Sequence, residues 1–166
     1  MTDKPKVLLC SNSQVRQEIM SGEGVARLEQ IADWEWLPSE GTCTIPGVWG
    51  GPSDDPADAE RLRTKIGDVD VLLVCHGSPM IDGAMMDAAP KLRLIGELEG
   101  DRFANRIDVA AATTRGIRVG DTTDGSSLPV AEWALALAIS GLRNAGAQFR
   151  RLIAGEEFRR SKDDPG

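Results

Sequence analysis

The sequence contains no tyrosine, one histidine and few aromatic residues, 4% in all. A role for imidazole as a general acid or base would have to rest on His76 alone. Its three cysteines, Cys10, Cys43 and Cys75, are odd in number, widely spaced and without a C-x-x-C or Cys/His metal pattern. This pattern argues against a disulfide framework and a zinc site, so we expect buried free thiols and no metal.

Basic charge is also scarce, since the formal net charge is −7. Nucleic acids and anionic membranes select clustered Lys and Arg, so neither is an expected partner. The apolar run at residues 7–10 is too short for the core of a signal peptide, which predicts a cytoplasmic protein. The longest apolar stretch, residues 128–142, contains Glu132 and falls short of the roughly 18 uncharged residues of a membrane span.

What the chain does have is an alternation of short apolar runs and helical patterns. With 166 residues and 41% hydrophobic content, it can close one core, and a second full domain is not expected. The runs predict strands at 6–10, 34–36, 69–75, 92–95 and 117–119, separated by helices at 14–32 (one or two), 56–66, 81–89 and 109–115. This order predicts an α/β fold with a doubly wound parallel sheet, and the continuous run at 69–75 predicts the central strand.

Two segments do not fit that alternation. Residues 38–56 are rich in Gly, Pro, Ser and Asp, and predict a long surface loop. Residues 128–144 predict a helix that is apolar on nearly every side, with Ser126 or Ser127 as its cap and Pro129 in its first turn. A sheet that ends near residue 119 cannot cover all of those sides, so the helix is expected to protrude or to pack on a second copy of the chain.

Ligands of doubly wound sheets collect at the carboxyl ends of the strands. The loop after the central strand reads His76-Gly77-Ser78, in which glycine allows close approach to the backbone. We interpret His76 as a turn residue in preference to an acid or base, because no nucleophile with an orienting acid is evident. Arg102 and Arg106 can either bind an anionic substrate or pair with nearby acids.

The motifs of nucleotide binding are absent. No G-x-G-x-x-G follows a predicted strand, and the glycine-rich residues 47–52 lack the Lys-Ser/Thr of a phosphate loop. No dinucleotide-binding fold is therefore expected within these 166 residues.

Three segments, in this order and spacing, resemble the D-isomer-specific 2-hydroxyacid dehydrogenases. They are residues 88–95 (AAPKLRLI), residues 106–119 (RIDVAAATTRGIRV) and residues 130–137 (VAEWALAL). The resemblance implies a flavodoxin-like substrate-side domain of about five strands at residues 1–121. Residues 122–166 would then be the crossover helix and the start of a linker towards a nucleotide-binding domain.

The same resemblance implies an oxidoreductase that exchanges a hydride between NAD or NADP and a 2-hydroxy or 2-oxo acid. It implies a homodimer through the helix at 128–144. The family's arginine, glutamate and histidine match no residue here, so no catalytic residue is assigned, and the chain alone is expected to be an inactive fragment that binds no cofactor. The alternative is a stand-alone flavodoxin-like module that binds a carboxylate or a protein partner without catalysis.

The resemblance also implies which residues face the ligands. The loop at His76, Gly77 and Ser78 and the segment at Gly100, Asp101 and Arg102 match family segments whose backbone amides hold the substrate carboxylate. The second segment departs from the family pattern, with additional residues and with Asn105 where an aspartate is usual. Positions beside the nicotinamide are matched by Thr122 and Val130.

Overall fold

A computed structural model of the chain describes residues 4–18, 20–41, 51–98 and 103–156. These residues divide into two compact units, Met1–Thr123 and Asp124–Gly166. The first contains a five-stranded, fully parallel sheet, with the strands β1 (Lys6–Ser11), β2 (Asp33–Pro38), β3 (Val71–Val74), β4 (Leu94–Glu97) and β5 (Arg118–Asp121). The strand order is β2-β1-β3-β4-β5, which is the flavodoxin-like arrangement.

Short helices connect the strands. They are α1 (Ser13–Glu18), α2 (Gly22–Ile31), α3 (Pro56–Lys65) with a 3-10 turn at Ile66–Asp68, α4 (Gly83–Asp87), α5 (Phe103–Arg106) and α6 (Val109–Thr114). Two further helices follow, α7 (Thr123–Leu142), all but the first residue of which lies in the second unit, and α8 (Ala145–Ile153). No described helix is long and apolar enough to cross a membrane.

Several helices begin at a residue whose side chain accepts a hydrogen bond from a backbone N–H in the first turn of that helix. Asn12 caps α1 through Val15 N at 2.9 Å, and Asp82 caps α4 through Met85 N at 2.8 Å. The same role falls to Asp55 at α3 and to Asp108 at α6. Helix starts are thereby set by local sequence at the carboxyl edge of the sheet.

The central position of β3 confirms the prediction from its apolar run. Leu72 and Val74 are fully buried and belong to the main core, together with Leu8 and Ile95 of the neighbouring strands. The alternate residues Val71 and Leu73 are only half-buried, so among the described residues one face of this strand is covered more fully than the other.

Several predicted boundaries are wrong. The region 14–32 contains two helices, one of the two possibilities left open, whereas β4 begins two residues later than predicted and the four-residue α5 was not predicted. Within the predicted loop at 38–56, Pro38 belongs to β2, and residues 42–50 lie outside the described residues. Helix α7 begins at Thr123, so Pro129 lies inside the helix and not in its first turn. Proline removes one helical hydrogen bond there, and the long apolar helix tolerates that loss.

The apolar side chains of α7 are exposed, as the all-round hydrophobic pattern predicted. Those between 51% and 88% exposed are Leu128, Val130, Trp133, Leu135, Leu137, Ile139 and Leu142. A left-handed Asn144, with φ of 51°, separates α7 from α8, whose Phe149, Leu152 and Ile153 are exposed as well. Apolar side chains left exposed in this number form a candidate interaction surface.

The difference between buried and exposed leucines in the sheet generates a prediction. We expect Leu72→Ala to lower the free energy of unfolding by about 2–5 kcal/mol, because it leaves a cavity in the core. The matched control is Leu94→Ala, whose side chain is 37% exposed and which should cost less than about 1 kcal/mol. Urea unfolding of both variants measures this, and equal losses would contradict the placement of β3 in the core.

Candidate functional site

The loop after β3 lies at the carboxyl edge of the sheet and is held by its own backbone carbonyls. Three consecutive carbonyl oxygens accept hydrogen bonds from three separate segments: His76 from Asn12 N (2.7 Å), Gly77 from Ser39 Oγ (2.7 Å) and Ser78 from Ser53 N (2.8 Å). Because the donors follow β1 and β2 or precede α3, the loop is fixed against three neighbours. A backbone held in this way is preorganised, which reduces the ordering cost of ligand binding.

Gly77 has a conformation and surroundings that only glycine fits. Its φ is +87°, and a Cβ atom at this position would lie 1.9 Å from the carbonyl oxygen of Ser39. Its carbonyl is engaged by Ser39, whereas its N–H donates to no acceptor among the residues that the structure describes. A backbone N–H without an internal acceptor is suited to an anionic oxygen.

Ser78 stabilises the loop through the hydrogen bonds of its hydroxyl and its backbone N–H. Its hydroxyl donates to the Cys10 carbonyl at 2.5 Å and accepts from Cys75 N at 3.1 Å, and its own N–H donates to the Cys75 carbonyl at 3.0 Å. Both donors of Ser78 are therefore used within the protein. Its side chain ties β1 to the end of β3, and its place beside the substrate stays a prediction.

The two described cysteines, Cys10 and Cys75, are buried free thiols, as predicted, and Cys43 lies outside the described residues. Burial raises the pKa of the Cys10 thiol to about 11, outweighing the hydrogen bonds with Ser39 and Ser78, which lower it. Cys10 is therefore a neutral thiol at neutral pH and no nucleophile.

The structure describes only some of the other residues that were predicted to face a ligand. His76 is half-buried in the same loop, and Thr122, at the end of β5, donates from Oγ1 to the Leu98 carbonyl at 2.8 Å. Val130 is 64% exposed on α7. Gly100, Asp101 and Arg102 lie outside the described residues, so their role stays a prediction. Among the described residues no cluster of His, Cys, Asp and Glu could hold a metal ion.

Arg106 forms a salt bridge, one of the two roles left open for it by the sequence. Its Nη1 lies 2.5 Å from Glu97 Oε2, and both side chains are fully buried at the carboxyl end of β4. Sequence reasoning placed acids near Arg106 but could not show that the pair is removed from water. Burial depends on how β4 and α5 pack, which no local pattern encodes.

A second buried carboxylate was missed altogether. Asp58, in the first turn of α3, accepts hydrogen bonds at Oδ2 from Ser53 Oγ (2.6 Å) and Gly41 N (3.1 Å), and it pairs with Arg61. One carboxylate thus joins the chain on both sides of residues 42–50. Since Ser53 also holds the Ser78 carbonyl, Asp58 supports the loop after β3 indirectly. The only sequence signal was an acid in a helical first turn.

A cleft of about 460 Å³ lies at the opposite edge of the sheet, lined by residues at the amino ends of β1 and β2. Its lysines are paired with acids, Lys65 with Glu35 at 3.0 Å and Lys6 with Asp68. Ligands of this fold bind at the carboxyl edge, so the size of the cleft does not make it the candidate site.

The surroundings of Gly77 predict the effect of adding a methyl group. We expect Gly77→Ala to lower the free energy of unfolding by about 3 kcal/mol or more, because the Cβ and the Ser39 carbonyl cannot both keep their positions. The control is Gly116→Ala: φ is +69° there too, but nothing lies within 4 Å of the added Cβ. It should cost about 1–2 kcal/mol, from backbone strain alone. Chemical unfolding measures the loss of stability in both variants. Equal losses would contradict a clash between the added Cβ and the Ser39 carbonyl.

Known proteins resemble this chain in sequence. The family profile "D-isomer specific 2-hydroxyacid dehydrogenase, catalytic domain" matches residues 50–159. A D-3-phosphoglycerate dehydrogenase of Methanocaldococcus jannaschii is 37% identical over 97 residues, which is 58% of this chain and 18% of the relative. A glyoxylate reductase of Thermococcus kodakarensis is 36% identical over 114 residues, 69% of this chain and 31% of the relative. The chain thus spans less than a third of the length of either relative.

Solved structures share its fold. A glyoxylate reductase from Paecilomyes thermophila has a TM-score of 0.59 at 18% identity, covering 98% of this chain and 45% of that one. A phosphoglycerate oxidoreductase from Rhizobium etli has a TM-score of 0.58 at 19% identity, covering 93% and 41%. Since the family profile covers more than half of the sequence and the parallel sheet has the same fold, the chain belongs to the D-isomer specific 2-hydroxyacid dehydrogenase family.

Proposed function

We propose that residues up to about 121 form the substrate-side domain of an oxidoreductase that transfers a hydride between NAD(P) and a 2-hydroxy or 2-oxo acid. Family membership supports the reaction class. The single observation that carries the site is the loop after β3, whose three carbonyls are engaged while the Gly77 N–H has no acceptor among the described residues. We assign that N–H to the substrate carboxylate.

The residues of this chain do not fit a nicotinamide cofactor by themselves. No G-x-G-x-x-G occurs in the 166 residues, so none of the βα turns can cradle a pyrophosphate in the usual way. The chemistry of hydride transfer is therefore not assigned to these residues. Their part is to bind and orient the acid, with Thr122 and Val130 proposed to lie beside the nicotinamide and His76 to line the substrate side.

The assignment to Gly77 has a direct test by NMR on the 166-residue chain. We expect glyoxylate and glycolate to shift the Gly77 amide resonance saturably, with Kd values on the order of millimolar, because few contacts are available to so small an anion. Glycolaldehyde, which is neutral and of similar size, should leave the resonance unmoved. Shifts confined to surface lysines, such as Lys6 and Lys65, would contradict the assignment.

We also propose that the helix at 128–144 mediates a homodimer. The exposed apolar side chains of α7 support this, because burying one such side chain is worth about 1.5–3 kcal/mol. A second copy of the same helix is the simplest cover for a self-complementary apolar face.

This proposal predicts the effect of a charge on that face. Leu137→Arg should convert the dimer to a monomer in sedimentation velocity at tens of micromolar protein, since a buried unpaired cation opposes association. The control Arg143→Glu, which changes charge just beyond the helix, should leave the dimer intact. A monomeric wild-type chain under the same conditions would overturn the dimer.

A further inference from the structure

Glu97 and Arg106 form a buried ion pair that the proposed reaction does not use. Both side chains are fully buried, and the guanidinium and carboxylate are in direct contact. Charged side chains are almost never buried to this extent unless paired. Ile95 shares the face of β4 with Glu97, and both Ile95 and Ile107, which follows Arg106 in the sequence, belong to the buried core.

Stability alone is a weak reason for such a pair. Removing two charges from water offsets most of their mutual attraction, and well-packed apolar residues of similar volume often stabilise a fold equally well. What apolar residues do not supply is direction, because a guanidinium and a carboxylate meet in a narrow range of geometries. The pair therefore has a geometric consequence: it holds the end of β4 at a fixed position relative to the end of α5.

The backbone next to each partner is tied to the candidate site. On the side of Glu97, Leu98 N donates to the Val74 carbonyl at 2.9 Å, and the Leu98 carbonyl accepts from Thr122. On the side of Arg106, its carbonyl accepts from Ile81 N at 2.9 Å. Val74 and Ile81 flank the loop that contains Gly77. The ion pair therefore links the backbone at Val74, before the loop, to the backbone at Ile81, after it.

We propose that Glu97 and Arg106 are positioning residues for carboxylate binding: the ion pair holds the two backbone anchors of the Gly77 loop, at Val74 and at Ile81, in register. Neither side chain touches the substrate. The inference rests on the proposed function in taking the ligand to be a carboxylate.

The test replaces both charges of the pair together. The double variant Glu97→Leu/Arg106→Met is apolar and of similar volume, so it should unfold at the same urea concentration as the wild type or a higher one. Hydrogen exchange followed by mass spectrometry should nevertheless be about tenfold faster in peptides covering 76–81 and 103–108, while peptides of α2 and α3 keep their rates. Glyoxylate affinity, from the Gly77 amide shift, should fall about tenfold.

A second variant separates charge from geometry. Arg106→Lys keeps the charge but lacks the planar fork of the guanidinium, so its exchange rates and glyoxylate affinity should lie between those of the wild type and the double variant.

The possible results separate a failure of the positioning role from a failure of the proposed function. A stable double variant with wild-type exchange in both peptides and wild-type glyoxylate affinity overturns the positioning role, as does exchange that is faster throughout the chain. Absence of glyoxylate binding by the wild type overturns the proposed function instead. The exchange comparison needs no ligand and still decides whether the pair holds the loop.

Discussion

The candidate site depends on the parallel pairing of β3 with β1 on one side and β4 on the other. This pairing places the carboxyl ends of three strands next to one another, with Cys10 opposite Val74 and Val74 opposite Glu97. Because parallel strands leave together at one edge, the segments that follow them must find hydrogen-bond partners among themselves or in a ligand. The loop after β3 satisfies its carbonyls through Asn12, Ser39 and Ser53.

The buried carboxylates of Asp58 and Glu97 serve the same edge in complementary ways. Asp58 accepts hydrogen bonds from residues on both sides of residues 42–50 and holds Ser53 next to the loop after β3. Glu97 joins the end of β4 to Arg106. A carboxylate buried without donors would be strongly destabilising, so each of them enforces the approach of specific partners. The geometry around Gly77 therefore depends on charges that lie outside the loop itself.

The positions of the strands and the central place of β3 could be predicted because they follow from patterns that extend over several residues. The run at 69–75 identified β3, whose residues Val71–Val74 lie within it. The boundaries were less predictable, since a strand gains or loses end residues according to its neighbours: β4 follows the register of β3 and so extends to Glu97.

The site was predicted only in outline. Sequence reasoning identified the loop containing Gly77 from its place after the central strand and from the family resemblance. It could not show that the donors of Ser78 are engaged internally, or that Arg106 and Asp58 are buried, because each of these depends on segments distant in sequence. The ion pair and the Asp58 network emerge only when the chain is folded.

The most direct test of the account is a crystal structure of the chain with bound oxalate, a stable analogue of a 2-oxo acid. The account predicts that one carboxylate oxygen lies within hydrogen-bond distance, about 2.7–3.2 Å, of the Gly77 nitrogen, with the carbonyls of the loop still bonded to Asn12, Ser39 and Ser53. Oxalate bound only in the cleft of Lys6 and Lys65, at the opposite edge of the sheet, would contradict it.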